Sequence, residues 1–288
     1  MNLYTAPYLY QSVRWPTQGR HILCQYTDET VVVYQAYSPT IGHFAATHGY
    51  FGEEFSLDRM SWIKPNFLWM MYRSAWGTKE NQEVTLAIHR KRSAFDEMLR
   101  LAVHSSFIPD VHKTEELWKQ ALQQSDVRLQ WDPDHAPHGA KWERRAIQLG
   151  LRGSVLARYA KEWIVKIEDI SAFVTEQRQH VQNWEYHDFT TPQEWVYWIP
   201  EDDLKKRLGI ATSDYGLMTP IEELRLDEKC SHAVKRSGLN SIEETVEFFN
   251  RMFDEHGYPR GTFSLGWMFC FDAVEDALAL RGLYIRPT

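Results

Sequence analysis

Three cations, Arg59, Lys64 and Arg73, fall within 15 positions and are interleaved with Trp62, Phe67, Trp69, Tyr72 and Trp76. Guanidinium groups hold phosphates through paired hydrogen bonds and aromatic faces stack on bases, so this mixture suits a nucleotide or an unpaired nucleic-acid strand. The competing reading is packing: tryptophans are mostly buried, and the cations would then be neutralised by Glu29, Asp58 or Glu83. Other constellations are weaker. His43 with His48, and His135 with His138, have spacings that could hold a metal, but each pair lacks carboxylates or thiols in an obvious arrangement and reads as surface loop. Asp132 and Asp134 flank Pro133, where aspartate bonds its own backbone, so a turn is expected rather than an acid–base pair. The chain contains no G-x-G-x-x-G, Walker loop, G-x-S-x-G or H-E-x-x-H, which removes the usual dinucleotide, phosphoryl-transfer, hydrolase and zinc-peptidase readings.

Alternating strands and helices must carry these residues. The β-branched run Glu29 to Tyr37 predicts a strand, and Ser38 with Pro39 predicts the start of a helix directly after it. Pro65 forces an extended step before a helix over Phe67 to Tyr72. Val84 to His89 is a strand. Arg92 to Ser105 and Glu115 to Gln124 have helical spacing. The turn residues of WDPDHAPHG lead into a strand from Arg144 to Leu151, then a helix from Ser154 to Glu162 and a last strand from Trp163 to Ile167. Glu176 to Phe189 is polar, without a strand period, and reads as a linker. Beyond it three helix starts place a hydroxyl three residues before a carboxylate: Thr191 with Glu194, Thr219 with Glu222, and Ser241 with Glu244.

Composition sets the frame. A length of 288 residues predicts two domains, and 43% hydrophobic with 25% charged residues is globular. No apolar run approaches the roughly 18 residues of a membrane span, and the first residues lack an export pattern, so no membrane partner and a cytoplasmic location are expected. Cys24, Cys230 and Cys270 are widely separated, which suits reduced thiols. The net charge of −7 is uneven: residues 1–182 hold 21 Lys+Arg against 20 Asp+Glu, leaving 11 against 19 for the rest. Neither part has the basic field of a protein that grips nucleic acid mainly through phosphates.

The segments QYTDETVVVYQAYS, RMSWIKPNFLWMMYRSAW, QEVTLAI, VRLQWDPD, RAIQLGL and EWIVKIEDI resemble, in order over residues 20–175, the family catalogued as domain of unknown function 4291. That resemblance brings no activity with it. The run VVVYQAYSPTIGHFAATHGYF is also similar to the first strand and helix of ADP-ribosyltransferase folds, which implies an NAD pocket. By position Gln35 takes the first place, normally His or Arg; Ser61 or Tyr72 the second; Glu83 or Gln148 the third. Tyr34, Arg59, Ser61, Trp62, Lys64, Trp69, Tyr72 and Arg73 would bind the cofactor, with Arg59 or Arg73 on the pyrophosphate and a carboxylate such as Glu83 on a ribose hydroxyl. TPIEELRLDEKCSHAVKRSGLNSIEETVEFF and SLGWMFCFDAVEDALALRGL, over about 217–285, look like the carboxy-terminal domain of the bacterial RNA polymerase alpha subunit. There Lys229 and His232 would stand at DNA-contacting places and Gly266 at the hairpin glycine. Trp267 and Met268 replace two basic residues, so protein docking fits better than DNA binding.

The expectation is therefore an α+β fold: a mixed, curved, ADP-ribosyltransferase-like sheet with flanking helices over 1–178, a linker and connecting helix over 179–216, and an all-α helix-hairpin-helix domain over 217–288. Its leading function is NAD-dependent ADP-ribosyl transfer acting on nucleic acid or a transcription-related target. The alternatives are a non-enzymatic binder of a nucleotide or single-stranded nucleic acid, and an adaptor docking through residues 217–285.

Overall fold

The computed structural model describes residues 3–12, 15–210 and 226–242, together with 244, 245, 248, 270, 273 and 274. Two compact units divide the chain, Met1–Thr212 and Ser213–Thr288. The first is mixed α and β. It runs β1 (Thr5–Pro7), α1 (Tyr8–Ser12), β2 (Leu23–Cys24), β3 (Thr30–Tyr37), α2 (Pro39–His48), β4 (Ser61–Ile63), α3 (Phe67–Ser74), β5 (Val84–Lys91) and α4 (Arg92–Leu101). It continues with β6 (Val103–His104), α5 (Glu115–Gln124), β7 (Val127–His135), β8 (Lys141–Leu151), α6 (Gly153–Lys161), β9 (Ile164–Asp169), α7 (Ser171–Gln182), β10 (Thr190–Pro192), β11 (Trp195–Val196) and α8 (Asp202–Leu208).

Two sheets form the frame. One is antiparallel in the order β3-β5-β9, and the other has the order β4-β8-β7-β6 with β6 parallel to β7. The centre of β3 and β5 is buried on both faces, from Val31 to Gln35 and from Val84 to Ile88, as continuous apolar runs require. By contrast β7 begins with alternation, Val127 and Leu129 inward, Arg128 and Gln130 half exposed. Among the described residues one isolated backbone bridge joins the sheets: the Tyr34 N–H donates to the Lys64 carbonyl at 2.7 Å and the Lys64 N–H to the Tyr34 carbonyl at 3.3 Å. Beside it lies a cleft lined in part by β3 and β4.

Helix α2 closes one side of the first sheet by resting Gly42 against β5. A Cβ on Gly42 would lie 2.5 Å from both Cβ and Cγ1 of Val84, too close for any rotamer change to relieve. Gly42→Ala should therefore push α2 off the sheet and cost about 1–3 kcal/mol, read as a lower midpoint in urea unfolding with unchanged slope.

Several expectations are corrected. WDPDHAPHG is not a turn from its start: β7 runs through Pro133 to His135, with a register shift between those two residues. Proline is tolerated there because the ladder is already irregular. The helix expected over Arg92–Ser105 ends at Leu101, and Val103–His104 joins β7 instead. The stretch expected as a linker, and part of 179–216, is built into the first unit: α7 reaches Gln182, Phe189 is fully buried, and β10 and β11 pair with β1 and β2. The helix expected to start at Thr191 is absent, since Thr191 lies in β10.

In the second unit, α9 (Glu228–Arg236) is capped by Asp227, whose carboxylate accepts the Cys230 N–H at 2.9 Å. The predicted box at Ser241 forms: Ser241 Oγ accepts the Glu244 N–H at 3.1 Å and Glu244 Oε2 accepts the Ser241 N–H at 3.3 Å. Lys229 and His232 lie on α9; Gly266, Trp267, Met268 and the helix start at Thr219 lie outside the described residues. Among the described residues no helix is long and apolar enough to cross a membrane.

Candidate functional site

The lining of a cleft of 290 Å³ includes Gln35 and Tyr37 of β3, Ser61 and Trp62 of β4, Arg59 before β4, and Arg73 from the last turn of α3. A wider groove of 1020 Å³ adjoins it and shares Ile41, Phe55 and Ser56; it is edged by Phe44, Tyr50, Glu53, Glu54 and Asp58. The floor of the smaller cleft is rigid. Gln35 Nε2 donates to Ser61 Oγ at 3.0 Å and to the Trp62 carbonyl at 3.1 Å, while its Oε1 accepts the Tyr159 hydroxyl at 2.6 Å. Tyr37 and Ser61 share a hydroxyl contact at 3.0 Å. Gln35 is thus saturated, and it spans the gap between the two sheets.

The cations on the rim are not neutralised. Both Arg59 and Arg73 are exposed, and among the described residues neither makes an ion pair or side-chain hydrogen bond. Of the acids that could have paired with them, Glu83 is turned to its own loop, accepting the Asn81 N–H at 2.9 Å. Arg73 owes its place to α3, which Asn66 starts by accepting the Trp69 N–H at 2.7 Å and which ends on Ala75 and Trp76, both in the left-handed region. A second cap comes from far along the chain: the buried Glu194 carboxylate accepts the Phe67 N–H at 2.6 Å and Asn66 Nδ2 at 3.0 Å. Burial pushes the Glu194 carboxyl well above the usual carboxylate range, against the pull of those bonds.

Behind the cleft the β4-β8-β7 face is polar. Asp132 Oδ1 accepts Gln130 Nε2 at 3.0 Å and its Oδ2 accepts Gln148 Nε2 at 2.7 Å. Lys64 lies beside them, 4% exposed.

The anticipated residues therefore separate into groups. Gln35, Arg59, Ser61, Trp62 and Arg73 come together in the cleft. Gln148 and Lys64 belong to the polar sheet face, and Glu83 to an exposed turn, so Gln35, Glu83 and Gln148 share no partner. Trp69 and Tyr72 do not line the cleft and stack on His135, with ring centroids 5.2 and 3.5 Å away. Tyr34 is core, its ring edge-on to Phe67 at 5.5 Å. Sequence reasoning missed Tyr37, Tyr159 and Asp132. The polar alternation Arg128, Gln130, Asp132 was the available signal for the last, obscured by Pro133.

A family model described as Domain of unknown function (DUF4291) matches residues 21–197. The chain belongs to this family. The DUF4291 span contains every residue of the cleft and the distant cap Glu194, so the site and the structure that braces it fall within one family segment. No curated protein matches the chain.

Proposed function

We propose that the DUF4291 unit holds a nucleotide by its phosphates in this cleft and transfers ADP-ribose from NAD. The observation that carries the reading is the pair Arg59 and Arg73, without partners among the described residues, on one cleft with Trp62. Two unpaired guanidinium groups beside an aromatic plane suit a pyrophosphate and a flat ring. The cleft and its adjoining groove are of the size that small-molecule sites occupy.

In this reading Arg59 and Arg73 take the pyrophosphate, Trp62 stacks on a ring, and the Ser61 hydroxyl meets a ribose hydroxyl. Gln35 positions Ser61 and the Trp62 backbone rather than touching the ligand. Departure of nicotinamide breaks the ribose C1′–N bond, with the electron pair leaving on the ring nitrogen. The second unit, with α9 and the Ser241 box, serves as a polymerase-alpha-like helical module that docks the DUF4291 unit to the transcription machinery.

Calorimetric titration of the full chain tests the binding step. NAD and ADP-ribose should bind, and adenosine, which lacks phosphate, should bind at least about tenfold more weakly because charge-assisted bonds are lost. Nicotinamide release from labelled NAD tests the chemistry. Equal affinity for adenosine and ADP-ribose, or no affinity for NAD, would overturn the reading; tight salt-dependent binding of a single-stranded oligonucleotide in place of NAD would favour a nucleic-acid binder.

A further inference from the structure

A carbonyl oxygen can only accept a hydrogen bond, and that fixes the direction of the bonds behind Ser61. The Trp62 carbonyl lies 3.1 Å from one end of the Gln35 amide, so that end is the NH2. The same nitrogen donates to Ser61 Oγ at 3.0 Å, and the amide oxygen turns to Tyr159, whose hydroxyl must donate at 2.6 Å. One lone pair of Ser61 is therefore occupied from the floor of the cleft. The other faces the Tyr37 hydroxyl, 3.0 Å away. Among the described residues that hydroxyl has no other hydrogen-bond partner, and a phenol is the more acidic of the two groups, so Tyr37 donates and Ser61 accepts.

With both lone pairs taken, Ser61 keeps its own proton for the cleft, which it lines and where it is half-buried. Among the described residues no acceptor takes that proton. The polarity is set from Tyr159, which is fully buried on α6. Arg90 of β5, equally buried, lies over its ring with the guanidinium carbon 3.3 Å from the centroid and also donates to the Tyr159 carbonyl. Phe51 stacks with the same ring at 6.2 Å between centroids. Held in this way, the Tyr159 hydroxyl stays on the Gln35 oxygen. A flipped amide would bring two carbonyl oxygens to 3.1 Å from each other and would leave Ser61 facing an acceptor.

We infer that Ser61 is an obligate hydrogen-bond donor that selects a ligand oxygen with a free lone pair, and that Tyr159, two hydrogen bonds away, is the positioning residue that sets this polarity. The inference rests on the nucleotide reading above and narrows it. The subsite at Ser61 takes an acceptor oxygen of the sugar or of the phosphates. It does not take a group that can only donate, such as the exocyclic amine of a base.

Calorimetry of the full chain with ADP-ribose tests this through Ser61→Ala, Tyr159→Phe and the double variant. Ser61→Ala should weaken binding about tenfold, and Ser61→Thr, which keeps a hydroxyl, should stay within about threefold of the wild type. Tyr159→Phe should weaken binding about three- to fivefold in the wild-type background and have no effect in the Ser61→Ala background, because it acts through Ser61. A tyrosine with a merely structural role would cost the same in both. Equal losses in the two backgrounds, or no loss from Tyr159→Phe, overturn the positioning role, and wild-type affinity in Ser61→Ala overturns the donor. Repeating Ser61→Ala with inorganic pyrophosphate locates the oxygen: a loss with both ligands assigns it to phosphate, and a loss with ADP-ribose alone assigns it to the sugar. Should a melting curve show that Tyr159→Phe does not fold, Gln35→Met removes the middle link of the relay and takes its place in the cycle, with the same non-additivity expected. Failure of the wild-type chain to bind ADP-ribose instead sinks the nucleotide reading, and this inference with it.

Discussion

Replacing Arg59 and Arg73 together by alanine should weaken NAD and ADP-ribose binding by about a hundredfold and leave thermal stability unchanged. A hydrogen bond to a charged group contributes about 1.5–3 kcal/mol, and the lower end applies because both cations stand on a solvent-exposed rim. At about 1.4 kcal/mol per factor of ten, each contributes roughly one decade. Stability is spared because, among the described residues, neither side chain has a partner to strand. Arginine-to-lysine changes at the same positions should fall between, since the charge survives and the planar fork does not. Calorimetry checks the affinities and a melting curve checks the fold. Unaltered affinity in the double variant would show that the cleft does not hold phosphate.

The largest effect on stability is expected at Glu194. Glu194→Ala strands the Phe67 N–H and Asn66 Nδ2 inside the protein and removes the second cap of α3. Each buried donor left unmet costs about 1–3 kcal/mol, so the loss from the two should be about 2–6 kcal/mol, or about 4–24 °C in Tm for a unit of this size. Because α3 carries Arg73, ligand affinity should fall with it. The carboxyl also makes stability depend on pH. Its pKa in the fold is raised above the unfolded value, so the folded state binds the proton more tightly. That stabilisation is complete below about 4.5 and is lost as pH rises toward the raised value. Glu194→Gln removes the titration. Urea midpoints measured from pH 4 upward, about where the unfolded carboxyl begins to ionise, should decline in the wild type and be flatter in the glutamine variant; parallel slopes would assign the pH dependence to other groups.

Much of the fold was legible along the chain. Strands β3, β5 and β8, helices α2, α3, α5 and α6, and the cation-aromatic stretch all follow from apolar period, proline position and cap residues, which act within a few residues. The cleft members Arg59, Trp62 and Arg73 were also marked by residue type, and Gln35 and Ser61 by position in the resemblance to ADP-ribosyltransferase folds. Glu83 and Gln148 lie apart from the cleft because a position before or within a strand does not say toward which neighbour a side chain turns, and Asn81 and Asp132 decide that.

The same local pattern, a hydroxyl three residues before a glutamate, separates what sequence settles from what it leaves open. At Ser241 and Glu244 the two side chains close on each other, so local chemistry alone determined the helix start. At Thr191 and Glu194 each is taken by a distant partner: Thr191 Oγ1 accepts Gln11 Nε2 at 2.9 Å, and Glu194 caps α3, 127 residues earlier in the chain. The intact helix α3 offers orphan amides in a buried place, and a carboxylate that satisfies them there gains more than it would at an exposed helix end of its own. Only tertiary structure could make that choice, because the competing donor lies beyond the reach of any local pattern.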